Sequence, residues 1–185
     1  MPGRGPDKQD CLSERVRTRF PDACIVHRLD MATSGLMVMA RGIDAQRALQ
    51  RQFEQRAVQK RYEALVHGCP QAPADGWRVI DLPIAPDWPR RPLRIVDPER
   101  GQSACTRLRV LGSAGPGRWR VALEPVTGRT HQLRVHLQAI GHPIVGDALY
   151  GVADGATRLH LHATALALCH PFDGTPLAWQ SPAPF

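Results

Sequence analysis

Apolar positions along this chain fall into short runs broken by turns, and helical spacing surfaces in only three places. Leu12 and Val16, four apart within residues 10–19, predict a first short helix that Pro21 ends. Ala23 to Val26 reads as a strand, and the wholly apolar run Gly35 to Ala40 as a strand covered on both faces. Asp44 is placed as the cap of the clearest helix, about residues 45–56. Ala45, Ala48, Leu49, Gln52 and Phe53 form its inner stripe, and Arg47, Arg51, Glu54 and Gln55 face out.

Tyr62 to Val66 alternates as a strand closed by Gly68. Residues 69–103 carry seven of the 17 prolines and read as a long irregular region lying over a sheet face. Thr106 to Leu111 and Arg118 to Glu124 form a hairpin around the glycine-rich 112–117 turn. A helix is expected from Thr130 or nearby to Gly141, with Pro143 beyond it. Residues 159–169 alternate as a long strand, and Leu177 to Trp179 pair back on it across Pro171 to Gly174. This order predicts a single α+β domain with a mixed, mostly antiparallel sheet.

Composition adds a partner. The chain has 185 residues, 24 of them basic and 17 acidic, for a net charge of +7, and only Lys8 and Lys60 among the basic ones are lysine. Such an excess suits a polyanion held through counterion release. No apolar run nears the roughly 18–20 residues of a membrane span, and Met1 to Pro6 lack the apolar core of a signal peptide. A cytoplasmic location is therefore expected. Five scattered cysteines with no C-x-x-C pair argue against a disulfide framework and a zinc ribbon.

Chemistry concentrates in two stretches. Val26 to Leu36 places Asp30 two residues after Arg28 and just before a Thr33-Ser34-Gly35 turn. Thr127 to His136 carries Arg129, His131, Gln132 and Arg134, with Thr130 and Arg134 on one helical face and Arg129 and Gln132 on another. A basic helix face of this kind suits an anionic ligand or a buried carboxylate, and a nearby arginine favours the ionised form that a nucleophilic Asp30 needs. His131 and His136 are five apart and do not converge as i,i+4 metal ligands would. Ser34 lacks the preceding glycine of a nucleophile elbow. No Gly-Lys-Ser/Thr follows the 112–117 glycines, so nucleotide hydrolysis is not supported. A glycoside hydrolase would need a second catalytic acid, and none emerges.

The pattern His27-Arg28-Leu29-Asp30 followed by Thr33-Ser34-Gly35 resembles the catalytic motif of the RluA-type pseudouridine synthases. Three further segments are similar to that family in order and spacing: Lys60 to Gly68, Pro125 to His136 and Gly141 to Gly151. The resemblance implies the family's catalytic domain, with a mixed sheet flanked by helices and loops around an RNA-binding cleft. It implies Asp30 as nucleophile, Arg134 as its ion-pair partner, and Tyr62 stacked on the target uracil and assisting at C5. Leu133 would pack against Tyr62, and Arg28 would fill the gap left in the RNA by the flipped base. His27, Thr33, Arg129 and His131 join Arg28 and Leu133 as expected RNA-binding residues. The reaction is an isomerisation, so no cofactor and no metal is expected.

Asp81-Leu82-Pro83-Ile84 and Asp87-Trp88-Pro89 look most like the dual-specificity members, which act on a tRNA anticodon loop and a 23S rRNA loop. RNA of that kind is the expected partner, bound by a monomer. Family members normally carry a strand and a Lys-Pro-x-Gly segment ahead of Pro2-Gly3-Arg4-Gly5, with no S4-type module in this subgroup. Met1 falls within that region, so the chain is expected to lack its first strand or strands. The competing expectation is a catalytically inactive RNA-binding domain left by that shortening.

Overall fold

A computed structural model describes residues 10–71, 73 and 76–185; the glycine- and proline-rich start at residues 1–9 lies outside the described residues. The elements begin with α1 (Leu12–Arg19), β1 (Ala23–Ile25), β2 (Ser34–Gly35), β3 (Met39–Arg41) and α2 (Ile43–Glu54). The middle of the chain holds β4 (Gln59–His67), β5 (Arg78–Asp81), β6 (Ile84–Pro86), β7 (Arg94–Val96), β8 (Cys105–Ser113) and β9 (Arg118–Pro125). It closes with α3 (Gln132–Ala139), β10 (Leu161–Cys169) and β11 (Pro176–Gln180). These pack into two compact units, one of residues 10–29, 37–59 and 166–179, the other of Asp30–Leu36, Lys60–Ala165 and Gln180–Phe185.

In the first unit β1 and β3 pair antiparallel, with Cys24 opposite Ala40. Helix α2 buries Ala45 and Leu49 and half-buries Ala48, Gln52 and Phe53, while Arg47, Arg51, Glu54 and Gln55 are exposed, as the apolar stripe predicts. Gly42, with φ 80°, is its N-cap; Asp44 is the second helical residue, in the first turn, where its charge meets the helix dipole. The Gln46 side-chain amide donates to the Ile25 carbonyl at 2.8 Å and ties the helix to β1.

In the second unit β4, β9, β8 and β5 run in that order as an antiparallel sheet, with β10 on the far side of β4. β2 adds to β10 in parallel, Ser34 opposite His162 and Gly35 opposite Ala163. The α+β, mostly antiparallel expectation therefore holds. The core gathers Ala64 and Val66 of β4, Leu108 of β8, Val121 and Leu123 of β9, and Leu133 and Leu137 of α3. Burying a large side chain such as Leu108 or Leu123 stabilises by about 2–3 kcal/mol.

Three expectations are corrected. The run Gly35 to Ala40 is not one strand: it divides between β2 and β3, which pair with different partners. Residues 69–103 are not irregular throughout, because β5 joins the main sheet and β6 and β7 form a hairpin with Ala85 opposite Ile95. That hairpin explains why α3 is buried so deeply. Leu133 and Leu137 face the main sheet, whereas Val135 packs with Ile84, Ala104 and Val96 on the other side.

The third correction concerns where α3 starts. His131 adopts a left-handed φ of 58° and serves as the N-cap, so Arg129 and Thr130 precede the helix and share no face with Arg134 or Gln132. Gln132 takes over the capping work. Its side-chain oxygen accepts from the Arg129 N–H at 3.0 Å and from the Thr127 hydroxyl at 2.7 Å. Its amide donates to the Cys105 carbonyl and to Thr106 Oγ1. One turn on, fully buried His136 donates from Nε2 to the Leu82 carbonyl at 2.9 Å and accepts at Nδ1 from Thr106 at 2.9 Å. That pattern fixes a neutral ring, and burial lowers its pKa accordingly. His136 is thus fully used as a structural group.

Candidate active site

Helix α3 carries Arg134 into the interior of the second unit, 5% exposed, and the turn of residues 144–151 brings Asp147 to meet it. The pair is bidentate: Nε and one terminal nitrogen of Arg134 donate to the two Asp147 oxygens at 2.8 and 2.6 Å. Asp147 has no side-chain exposure. Burial opposes the charge on Arg134, and the hydrogen bond to Asp147 and the charges of Asp147 and Asp30 outweigh it, raising its pKa. The remaining terminal nitrogen, Nη1, faces Asp30 Oδ2 at 3.6 Å, a contact too long for a hydrogen bond.

Asp30 opens a tight turn in which the Thr33 N–H donates to the Asp30 carbonyl at 2.9 Å. Its carboxylate stays 19% exposed and open to an incoming group, and the next residue, Met31, is fully exposed. The turn is fastened downstream. Ser34 Oγ lies 2.8 Å from His162 Nδ1, and the Leu36 N–H donates to the Ala163 carbonyl at 3.0 Å. Gly35 is required between them: its φ is +108°, and a Cβ there would sit 2.4 Å from the Ala163 oxygen.

Tyr62 packs against the core cluster that contains Leu133. Burial, with the Asp30 charge adding to it, pushes the Tyr62 phenol up to about 12. The ring is therefore a neutral phenol at physiological pH. Tyr150 lies beneath Arg134, the guanidinium 5.1 Å from its ring centre. The Tyr150 hydroxyl accepts from the Arg94 N–H at 2.9 Å and stands 2.7 Å from His131 Nδ1. Burial holds His131 below the usual imidazole range, with Asp30 opposing the shift and Arg134 and Arg94 adding to it.

Four expected site residues thus converge: Asp30, Arg134, Tyr62 and His131. Leu133 belongs to the core cluster against which Tyr62 packs, and Thr33 closes the Asp30 turn. Arg129 is turned to the Ser103 carbonyl, which its Nε donates to at 3.0 Å. In the first unit, His27 accepts from the Val38 N–H at 3.0 Å and stacks on Phe53 with ring centres 4.6 Å apart. Arg28, beside it in sequence, is exposed and forms no ion pair among the described residues. The residues that sequence reasoning passed over are Asp147, Tyr150 and Arg94. Their signal was available in part, since Asp147 and Tyr150 lie within the Gly141 to Gly151 segment. Arg94 carries a buried Nε without a hydrogen-bond partner among the described residues.

Comparison with known proteins places the whole chain, beyond these residues, beside a single family. Residues 7–139 match the family model described as RNA pseudouridylate synthase. The chain is 47% identical over 188 residues to the Dual-specificity RNA pseudouridine synthase RluA of Yersinia pestis, covering all of this chain and 90% of the relative. It is 45% identical to the protein of the same name in Escherichia coli K12, covering 84% of that relative. Among solved structures it superposes on Human RNA Pseudouridylate Synthase Domain Containing 1 with a TM-score of 0.80 at 35% identity, over 94% of this chain and 74% of that one.

Proposed function

Because this chain belongs to the RNA pseudouridylate synthase family and is an RNA pseudouridine synthase, we propose that its reaction runs on Asp30, with Arg134 and Tyr62 as its immediate partners. The observation that carries this reading is the Asp30 carboxylate, partly open and facing Arg134 at 3.6 Å. An ionised oxygen with free lone pairs is what a nucleophile needs.

The reaction breaks the N1–C1′ bond of a uridine, turns the base over and joins it again through C5. The proton lost from C5 is matched by one gained at N1, so the change is an isomerisation with no redox balance to close. Asp30 supplies the nucleophilic oxygen. Arg134 stabilises the negative charge before the step, and Tyr62 offers its ring face to the extruded uracil. Any part that Tyr62 takes at C5 starts from the neutral phenol. Extruding the base costs a few kcal/mol and least in a loop, which favours loop uridines as targets. Exposed Arg28 is suited to the space that the base vacates, and His27 is proposed with it as an RNA contact. Thr33 shapes the Asp30 turn, His131 feels the Asp30 charge, and Arg129 is proposed as a further RNA contact.

The relatives' name, dual-specificity RNA pseudouridine synthase, supports more than one RNA target. From the family resemblance, a tRNA anticodon loop and a 23S rRNA loop are proposed as those RNAs, met in the cytoplasm by a monomer. The test incubates the protein with tRNA and 23S rRNA transcripts and maps pseudouridine by carbodiimide chemistry. Wild type is expected to modify a loop uridine and Asp30→Ala to modify none. Equal modification by both would remove Asp30 from the reaction.

A further inference from the structure

Arg134 offers three donor directions, and only one is aimed at Asp30. Its Nε and Nη2 are committed to Asp147, which lies 3% exposed. A guanidinium given a free choice would take Asp30 in the same two-pronged way. It is kept from doing so because Asp147 already holds the fork. The contact left to Asp30 is a 3.6 Å ion pair that uses none of its lone pairs in a hydrogen bond.

The same carboxylate has a second task. Asp147 Oδ1 also accepts from the Leu149 N–H at 2.9 Å and the Tyr150 N–H at 3.1 Å. It thereby fixes the turn that places the Tyr150 ring under the guanidinium and the Tyr150 hydroxyl against His131. One side chain sets the direction of Arg134 and the position of the ring on which Arg134 rests.

We infer that Asp147 is a positioning residue of the pseudouridine synthase site: it clamps Arg134 in two-pronged geometry so that the arginine faces Asp30 without capturing it, leaving the nucleophilic carboxylate without a side-chain hydrogen bond among the described residues. This inference rests on Asp30 as nucleophile. Without the clamp, Arg134 is released to form the two-pronged pair with Asp30, and the nucleophile is tied up. RNA binding does not pass through Asp147, so the loss falls on the chemical step.

The test compares wild type, Asp147→Asn and Asp147→Glu in single-turnover pseudouridine formation, with RNA affinity by filter retention and folding by circular dichroism. Asp147→Asn keeps the shape and the acceptor for Leu149 and Tyr150 but removes the charge. Its single-turnover rate is expected to fall about 100-fold, with RNA affinity within two-fold of wild type. Asp147→Glu, which keeps the charge, is expected to recover part of that loss. A folded Asp147→Asn with a rate within three-fold of wild type, or a loss confined to RNA affinity, overturns the inference. If Asp147→Asn does not fold, Asp147→Glu decides. A loss of about ten-fold in rate at unchanged affinity supports the clamp, and a rate within three-fold of wild type overturns it.

A wild type that modifies neither RNA would instead defeat the assignment of the reaction. The clamp then still has its own readout, a slowly exchanging arginine Nε–H signal in the NMR spectrum that vanishes in Asp147→Asn. Absence of such a signal in wild type overturns the clamp as well.

Discussion

Asp30 lies in a turn whose next residue, Met31, is fully exposed, whereas Arg134 lies on a helix with six of its eight residues buried. The turn is secured by main-chain bonds at its two ends and by the Ser34–His162 contact. The helix is secured on two sides, by the sheet beneath Leu133 and Leu137 and by the β6–β7 hairpin over Val135. The two partners of one ion pair therefore carry different obligations. The arginine belongs to the core and the aspartate to the surface. Substitutions on the helix side should disturb stability and activity together, and those at the tip of the turn activity alone.

Asp30→Ala should show the largest separation, losing about 10⁴-fold in single-turnover rate while urea unfolding moves by less than about 1 kcal/mol. Equal losses in both would break the contrast. Arg134→Leu should lose activity and also about 3–5 kcal/mol of stability, because Asp147 is left charged and unpaired with no side-chain exposure. Gly35→Ala tests the fastening of the turn. The clash with Ala163 and the positive φ should cost about 2–4 kcal/mol and carry activity down with it, readable in a denaturant titration.

Alkaline pH probes the space between the two regions. Tyr62 is held near 12, above the unfolded value of about 10, so the folded state keeps its proton where the unfolded chain has lost its own. That contribution is complete below pH 10 and is lost as pH rises toward 12, about 2–3 kcal/mol in all. Unfolding free energies measured from pH 9 to 12 should show this slope in wild type and a shallower one in Tyr62→Phe. The smallest effect on stability belongs to Arg28→Ala, within about 0.5 kcal/mol for an exposed side chain that forms no ion pair among the described residues. Its loss should appear in RNA handling.

The sequence made some parts of this molecule plain and hid others for physical reasons. Helix α2 was legible because its apolar stripe runs for three turns beside a solvated face. The β8–β9 hairpin was legible because two long alternating strands flank a glycine-rich turn. β5, β6 and β7 were not, since strands of three or four residues complete no more than two periods and prolines crowd them. The start of α3 was misplaced because Thr130 has the chemistry of a cap, while the backbone turns left-handed one residue later. Asp30, Arg134 and Tyr62 came from motif resemblance, and the structure brings them together. Asp147 escaped because a carboxylate thirteen residues from its arginine has no spacing rule to announce it.

The hydrogen-bond chain Gln132, Thr106, His136, Leu82 also bears on assembly during folding. Gln132 donates to Thr106, Thr106 to His136 and His136 to the Leu82 carbonyl, so the set fits only one sliding position of α3. A helix docked one residue off would bring Val135 or Leu137 to the Leu82 carbonyl and leave buried polar atoms without partners, at about 1–3 kcal/mol each. Apolar packing alone tolerates such near misses; this chain does not. It acts as a vernier that rejects wrong alignments and delivers Arg134 to Asp30 in a single setting.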